Sequence, residues 1–346
     1  MARDKERVTS VDVARLAGVS QSAVSRVFTP GASVSPATAE KVRKAAAQLG
    51  YRPNVLARSL ITGRSKIIGL VVAYLDNQFY PDALERLSRA LQARGYHVLV
   101  FLASQTAGNI DDVLREILDY QVDGIILASA AMSSGLAAQC EAAGVPVVLF
   151  NRSQDDERLS AVTSANREGG ARVARFLLAG GHERIAYLAG WEGASTQRDR
   201  EAGFTEALAR AGTSLFARAV GDFNYARAQA ATRELFAGPA RPDALFAAND
   251  HMAFAAMDVL RHELGLAVPG DVSVVGYDDV PLAAWPSYDL TTIRQPSGRM
   301  VAQTVEILME HIEDPAHARP RRVEIDGPLV IRGSARKPPE GSAHDI

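Results

Sequence analysis

Two sets of residues in this chain are suited to recognition rather than to breaking bonds. Gln21, Ser22, Ser25 and Arg26 lie on one face of a short helical stretch. Arginine pairs bidentately with guanine O6 and N7, and glutamine with adenine, so such a face can read base edges in a major groove. The second set is dispersed. Tyr74, Asp76, Asn77, Ser129, Asn151, Arg152, Trp191, Asp222, Phe223, Asn249, Asp250, Tyr277 and Asp278 each fall just after an apolar, strand-like run. Carboxamides, carboxylates and guanidinium groups bond hydroxyl pairs, and aromatic rings stack on the apolar face of a sugar, so this mixture suits a polyol.

Catalytic chemistry has no comparable footing. The chain holds no Gly-x-Ser-x-Gly elbow, Walker loop or Gly-x-Gly-x-x-Gly turn. His311 and His317 flank Glu313 and Asp314 just before Pro315, which reads as a solvated helix end rather than a metal site. Cys140 sits in an Ala-rich helical stretch and reads as a core residue. Asp278 and Asp279 are consecutive at a strand end and point in different directions, so they do not read as an acid–base pair. The expectation is no enzyme, no cofactor and no metal.

The elements that must hold the first set are three short helices. Thr9 and Asp12 form a capping-box-like start, followed by Val13, Ala14, Leu16 and Ala17 at helical spacing. Gly18-Val19 breaks that helix and Ser20 caps a second, with Ala23, Val24, Val27 and Phe28 inward. A third starts at Ser35-Pro36, buries Ala39, Val42, Ala46 and Leu49, and ends at Gly50. Two short helices joined by a Gly-containing turn are a helix-turn-helix pattern. Charge supports it. Residues 1–66 carry 12 basic and four acidic groups, a net +8, leaving 26 basic and 36 acidic groups, or −10, for the other 280 residues. A basic head on an acidic body points to a polyanion-binding module joined to something else.

The second set needs a different frame. Ile67 to Ala73, Tyr96 to Leu102, Gly124 to Ala128 and Val145 to Phe150 read as buried parallel strands with amphipathic helices between them. The alternation resumes after Asn166 with Arg184 to Ala189, Phe216 to Val220, Ala244 to Ala248 and Val272 to Gly276. Two sets of βα units imply two lobes, each with a doubly wound parallel sheet, whose strand ends face a shared cleft.

From Val8 to Ser20, in Ala23-Val24-Ser25-Arg26-Val27, and again in Leu49-Gly50-Tyr51-Arg52-Pro53-Asn54 and Ala57-Arg58-Ser59-Leu60, the chain resembles the lactose-repressor/galactose-repressor (LacI/GalR) family of transcriptional regulators. The resemblance runs through residues 8–335. It implies an all-α helix-turn-helix headpiece over residues 1–52 and a hinge helix and linker over 53–65. An α/β, two-lobed, periplasmic-binding-protein-like effector and dimerisation domain would follow over 66–335. Its N-lobe would span about 66–164 and 294–323, its C-lobe about 165–293 and 324–335, with a flexible tail over 336–346.

By that resemblance Gln21, Ser22 and Arg26 read bases, while Thr9 and Ser25 contact phosphates. Asn54, Ala57, Arg58 and Ser59 belong to the hinge helix at the DNA, and Leu60 is its minor-groove wedge. Read without the family, helix solubility is the lesser alternative for Ser22 and Ser25, and Leu60 equally packs against the bundle. The resemblance further implies effector contacts at Asn77, Phe79 and Tyr80 of the first pocket loop, and at Ser129, Asn151, Arg152, Thr196, Arg200, Phe223, Asn249 and Asp278. Arg198 reads as a surface salt-bridging residue. One departure stands out: Ala165-Asn166 occupies the second crossover where the family has Asp-Asn, which weakens assignment of a particular sugar.

The expected function is a sequence-specific DNA-binding regulator, a repressor, whose operator affinity is set by a carbohydrate-like effector. It would act as a homodimer on a pseudo-palindromic operator. No apolar run approaches the ~18 residues of a membrane span, the first nine residues do not resemble a secretory signal, and a single cysteine suits a reducing compartment. A cytoplasmic protein is therefore expected. The rivals are an exported-type solute-binding protein, an α/β enzyme, and a regulator that senses a phosphoprotein partner.

Overall fold

The computed structural model describes residues 8–29, 31–52, 64–73, 75–103, 107–129 and 131–339, and the chain divides into two units, Met1–Ser65 and Lys66–Ile346. In the first unit α1 (Ser10–Ala17), α2 (Gln21–Val27) and α3 (Pro36–Leu49) surround a small core of Val13, Ala14, Val24, Val42, Ala45 and Ala46. The caps explain the boundaries. The backbone N–H and hydroxyl of Thr9 both donate to Asp12 Oδ2, at 3.0 and 2.7 Å. Ser20 Oγ accepts the Ala23 N–H at 3.2 Å, and Ser35 Oγ accepts that of Thr38 at 3.2 Å. Gly18 and Gly50 both stop their helices at φ +65°, a left-handed turn that glycine adopts without a side-chain clash. Leu16 is 46% exposed, because the stripe centred on Val13, Ala14 and Ala17 leaves it at the margin.

The second unit contains two six-stranded sheets of related topology. The first runs β11-β5-β4-β3-β1-β2 and is parallel throughout, using β1 (Ile67–Val72), β2 (His97–Leu102), β3 (Gly124–Ala128), β4 (Val147–Phe150), β5 (Ser160–Ser164) and β11 (Arg322–Ile325). The second runs β12-β10-β9-β8-β6-β7, using β6 (Ile185–Ala189), β7 (Ala217–Val220), β8 (Ala244–Ala247), β9 (Ser273–Asp278), β10 (Thr291–Arg294) and the antiparallel β12 (Leu329–Val330). Five strands of each follow the doubly wound order 2-1-3-4-5, which places a switch point between the first and third strands of each lobe. In the first lobe, β1 sends Ile68, Leu70 and Val72 into one core and Val71 into another, and β3 and β4 divide in the same way. Apolar residues on both faces are what helices covering both sides of a parallel sheet require.

Helices α4 (Phe79–Ala93), α5 (Ala107–Asp119), α6 (Ser134–Ala142) and α11 (Ser297–Glu313) belong to the first lobe. Helices α7 (Asn166–Ala179), α8 (Ser195–Arg210), α9 (Tyr225–Leu235) and α10 (Asp250–Asp258) belong to the second. The chain changes lobe three times, after β5, after β10 and after β11.

Several sequence expectations need adjustment. Strand β2 is an edge strand, so Val100 and Leu102, the latter 63% exposed, are not buried as the apolar run suggested; Phe216 and Val220 around β7 are exposed for the same reason. The run Ser-Ala-Val-Thr-Ser of β5 is too polar to announce a strand, yet it is fully buried between β4 and β11. Because β11 pairs with β5 through Ile325, the last change of lobe follows 325 rather than 323. The chain is also held past 335: the Arg336 N–H donates to Ser273 Oγ at 2.9 Å, beside a fully buried Ser334.

Candidate effector cleft and nucleic-acid interface

In the headpiece Gln21, Ser22, Ser25 and Arg26 are exposed, as an outward face requires. Gln21 Nε2 donates to Ser10 Oγ at 3.0 Å, which fixes the start of α2 against α1, and Ser22 shares a 2.9 Å bond with Ser20. Among the described residues the Arg26 side chain finds no ion-pair or hydrogen-bond partner. Thr9 is exposed, and its bonds hold the Asp12 carboxyl below the usual range. Asn54, Ala57, Arg58, Ser59 and Leu60 lie outside the described residues, as does Tyr74.

Most of the expected effector residues follow strand ends, while Phe79, Tyr80, Thr196 and Arg200 lie on helices. Six of the nine left-handed non-glycine residues among those described are Ser129, Asn151, Asp222, Phe223, Asp278 and Asp279, each at or just beyond the carboxyl end of a strand. A residue held at positive φ costs on the order of 1–3 kcal/mol, and such strain gathers where a backbone must aim side chains at one point.

The centre is Arg200, on α8. Its guanidinium lies 3.6 Å over the Tyr277 ring, donates from Nε to Asn166 Oδ1 at 2.9 Å and from Nη1 to the Ala248 carbonyl at 2.5 Å, and faces Asp278 Oδ1 at 3.7 Å. Asp278 in turn accepts from Gln295 Nε2 at 2.6 Å and, across the lobes, from Asn77 Nδ2 at 3.4 Å. Asn77 Oδ1 takes the Phe79 N–H at 3.1 Å, which shapes the first pocket loop. The lobes meet again where the Ser153 N–H donates to Ser195 Oγ at 3.0 Å and where Arg152 lies 5.3 Å from the Trp191 ring centre.

Burial sets the electrostatics. Asp250, wholly inside, accepts the Thr292 hydroxyl at 2.6 Å and the Val280 N–H at 3.0 Å. Burial first, and the neighbouring Asp278 charge second, push its carboxyl up to about 8. Burial also raises Asp278, but Arg200 and the two carboxamides oppose it and leave it at about 6. Burial thus weakens both acids, and Arg200 favours the charged form of Asp278.

The remaining expected contacts divide. Tyr80 and Asn151 meet through a 3.1 Å bond from Asn151 Nδ2 to the phenol oxygen, and both are buried with Ser129 and Thr196. Phe79 stacks on Phe150 at 6.2 Å and sits edge-on to Tyr80, so its ring belongs to the first-lobe core. Phe223 packs against Gly190, where a Cβ would stand 2.2 Å from its ring. Asn249 Oδ1 accepts the Met252 N–H at 3.0 Å and thereby caps α10. Asp222 is engaged by Arg227. Arg198 donates to the Gly193 carbonyl at 2.9 Å on the surface, away from the buried network. Sequence reasoning missed Gln295 and Ser195, and placed Asn166 only as the survivor of a broken motif. Single polar residues in crossovers and at helix starts have no periodicity that would mark them.

Among the described residues no helix is long and apolar enough to cross a membrane, and no cluster of three or more His, Cys, Asp or Glu side chains is arranged to hold a metal.

Comparison with known proteins agrees with this geometry. Residues 9–54 match the model of the lacI family of bacterial regulatory proteins, and residues 174–335 match a periplasmic binding protein-like domain. The chain is 34% identical to the HTH-type transcriptional repressor PurR of Photobacterium profundum, across 95% of this chain and 98% of that protein. It is 36% identical to the HTH-type transcriptional regulator CelR of Thermobifida fusca, across 95% and 99%. Among solved structures, the lac repressor dimer bound to operator and the anti-inducer ONPF superposes with a TM-score of 0.85 at 29% identity, covering 95% of this chain and 99% of that one. A CelR–cellobiose complex superposes at 0.71 with 34% identity, covering 95% and 100%. The chain belongs to the lacI family of bacterial regulatory proteins and is a DNA-binding transcriptional regulator, not an enzyme.

Proposed function

We propose that the interlobe cleft binds a carbohydrate-like effector and that its occupancy sets operator affinity, chiefly as relief of repression. The observation that carries this reading is the buried Asn77–Asp278–Arg200 set, which draws residues from both lobes to one point. A ligand that competes for these groups favours one lobe arrangement over another, and by linkage it changes the affinity of the other site reciprocally. Asn77, Asn151, Arg152, Thr196, Arg200 and Asp278 are the assigned effector contacts, with Tyr80 and Ser129 lining the first-lobe side. Phe79, Phe223 and Asn249 support them by packing and capping. The cellobiose in the CelR complex supports a sugar as the ligand class.

In the headpiece Gln21, Ser22 and Arg26 are assigned to base edges, and Thr9 and Ser25 to phosphates. Residues 54–60 are assigned to the hinge. That assignment falls outside the described residues and rests on the family resemblance. The headpiece and linker limits of 1–52 and 53–65 and an effector domain that begins at 66 and is held through Arg336 belong to this reading, as does a cytoplasmic homodimer.

The test is a thermal-shift screen of neutral sugars, sugar acids and sugar phosphates, followed by operator titration with any compound that binds. A ligand at a hundred times its dissociation constant adds about 2.7 kcal/mol of stability. A compound that stabilises the wild type, leaves Arg200→Ala unmoved and changes operator affinity supports the reading. A compound that stabilises both proteins equally overturns the assigned cleft.

A further inference from the structure

The crossover between β5 and α7 carries a side chain that neither lobe needs for its core. Asn166 is the first residue of α7 and is buried. Its Nδ2 donates back to the Ser164 carbonyl at 2.9 Å, while its Oδ1 accepts Nε–H of Arg200 at 2.9 Å. Ser164 Oγ lies 3.4 Å from the same Oδ1 and 2.9 Å from the Tyr277 hydroxyl, and Arg200 covers the Tyr277 ring. Ser164, Asn166, Arg200 and Tyr277 thus close a ring that joins the crossover to the cleft arginine.

Helix capping does not account for the arrangement, because neither carboxamide atom of Asn166 bonds a backbone N–H of α7. Ala165 has no polar side-chain atom, so Asn166 makes the only side-chain tie from this dipeptide. The two helices behind it leave little slack. A Cβ at Gly170 would stand 2.1 Å from the Arg200 carbonyl oxygen, and one at Gly203 would stand 1.8 Å from that of Arg167. Helices α7 and α8 therefore meet backbone to backbone, and the registry of Asn166 with Arg200 is fixed by that contact.

We infer that Asn166 is the positioning residue that couples Arg200 to the β5–α7 crossover. A planar carboxamide holds its oxygen and nitrogen in fixed relation, so a displacement of the guanidinium is delivered to the Ser164 carbonyl, where the chain changes lobe. The inference rests on the proposal that Arg200 contacts the effector, but the link itself can be measured without any ligand.

The experiment follows two signals in the isotopically labelled full-length chain. One is the exchange of the Arg200 Nε–H, assigned by its loss in Arg200→Lys; the other is backbone amide exchange over residues 165–169. Removing a hydrogen bond to a charged group is worth about a tenfold change or more. Asn166→Ala is expected to speed both signals about tenfold. Asn166→Asp keeps an acceptor for Nε but loses the donor to Ser164, so it should leave the Arg200 signal slow and speed only the crossover. The pattern of one variant against the other is what a merely structural loss would not give. An Arg200 Nε–H that stays protected in Asn166→Ala, or a crossover that exchanges at the wild-type rate in both variants, overturns the inference. If Asn166→Ala fails to fold, the split between the two signals in Asn166→Asp decides alone. If the link appears but Arg200→Lys leaves every ligand-induced thermal shift intact, the effector assignment fails and the coupling stands.

Discussion

The two recognition surfaces of this chain keep their hydrogen-bonding capacity in opposite ways. On the headpiece Ser22, Ser25 and Arg26 are exposed, so most of their donors and acceptors are satisfied by water. In the cleft Arg200 and Asp278 have side chains only 3% exposed, and their partners are one another, Asn77, Asn166, Gln295, the Ala248 carbonyl and the Tyr277 ring. A surface of the first kind exchanges water for a partner and changes little in itself. One of the second kind admits a ligand only by rearranging bonds already made, which ties binding to a change of conformation. Mutations on the first surface should alter affinity and leave stability alone. Mutations in the second should alter both.

The largest effect expected is Arg200→Ala. It strands Asp278 without its cation in a buried site, where breaking such a pair costs about 3–5 kcal/mol; denaturant unfolding of the full chain reads this directly. If stability is unchanged, the cleft is wetter and softer than the contrast requires.

The next effect is in pH. The Asp250 carboxyl is raised in the folded state by burial and by Asp278, so the folded protein holds its proton more tightly than the unfolded chain does. The associated stability is fully present below the ordinary carboxylate range and is lost as pH rises through about 8. The melting temperature should therefore fall between about pH 5 and about pH 8, and fall less in Asp250→Asn. Equal slopes in the two proteins would remove Asp250 as the cause.

Arg26→Ala should cost roughly 1–3 kcal/mol in operator affinity, read by fluorescence anisotropy, with unfolding unaffected. A stability loss of that size would mean that Arg26 packs rather than reads. The smallest effect is Arg198→Ala, expected within about 0.5 kcal/mol for stability, because its bonds are to exposed backbone carbonyls. Set against Arg200, two positions away on the same helix, it separates an arginine inside the network from one outside it.

Legibility in the sequence followed local physics. Caps at Thr9, Ser20 and Ser35 and the glycines at 18 and 50 could be read because each end of a helix is satisfied by residues within a few positions. Strands β1, β3 and β4 could be read because burial on both faces demands an unbroken apolar run. Strand β5 escaped because its partners, β4 and a strand about 160 residues further on, supply the burial that its own polar residues do not advertise. Leu102 misled in the other direction, since an edge position is a property of the finished sheet.

The opening distinction between two kinds of recognition residue was set by the amino-acid sequence. So were the basic head, the acidic body, the helix-turn-helix face and the strand-end origin of the cleft residues. These depend on charge, on periods of two and 3.6, and on turn chemistry, all of which act over short stretches of chain. Tertiary structure decided which of those residues meet. Arg200 finds Asp278, Asn166 and Tyr277 only because α7 and α8 touch at glycines and the crossover returns beside β9. It also decided that the Asp250 carboxyl is pushed up by burial and that Arg198 does no more than hold a surface turn. Such outcomes depend on desolvation and on contacts between segments distant in sequence, which no local pattern encodes.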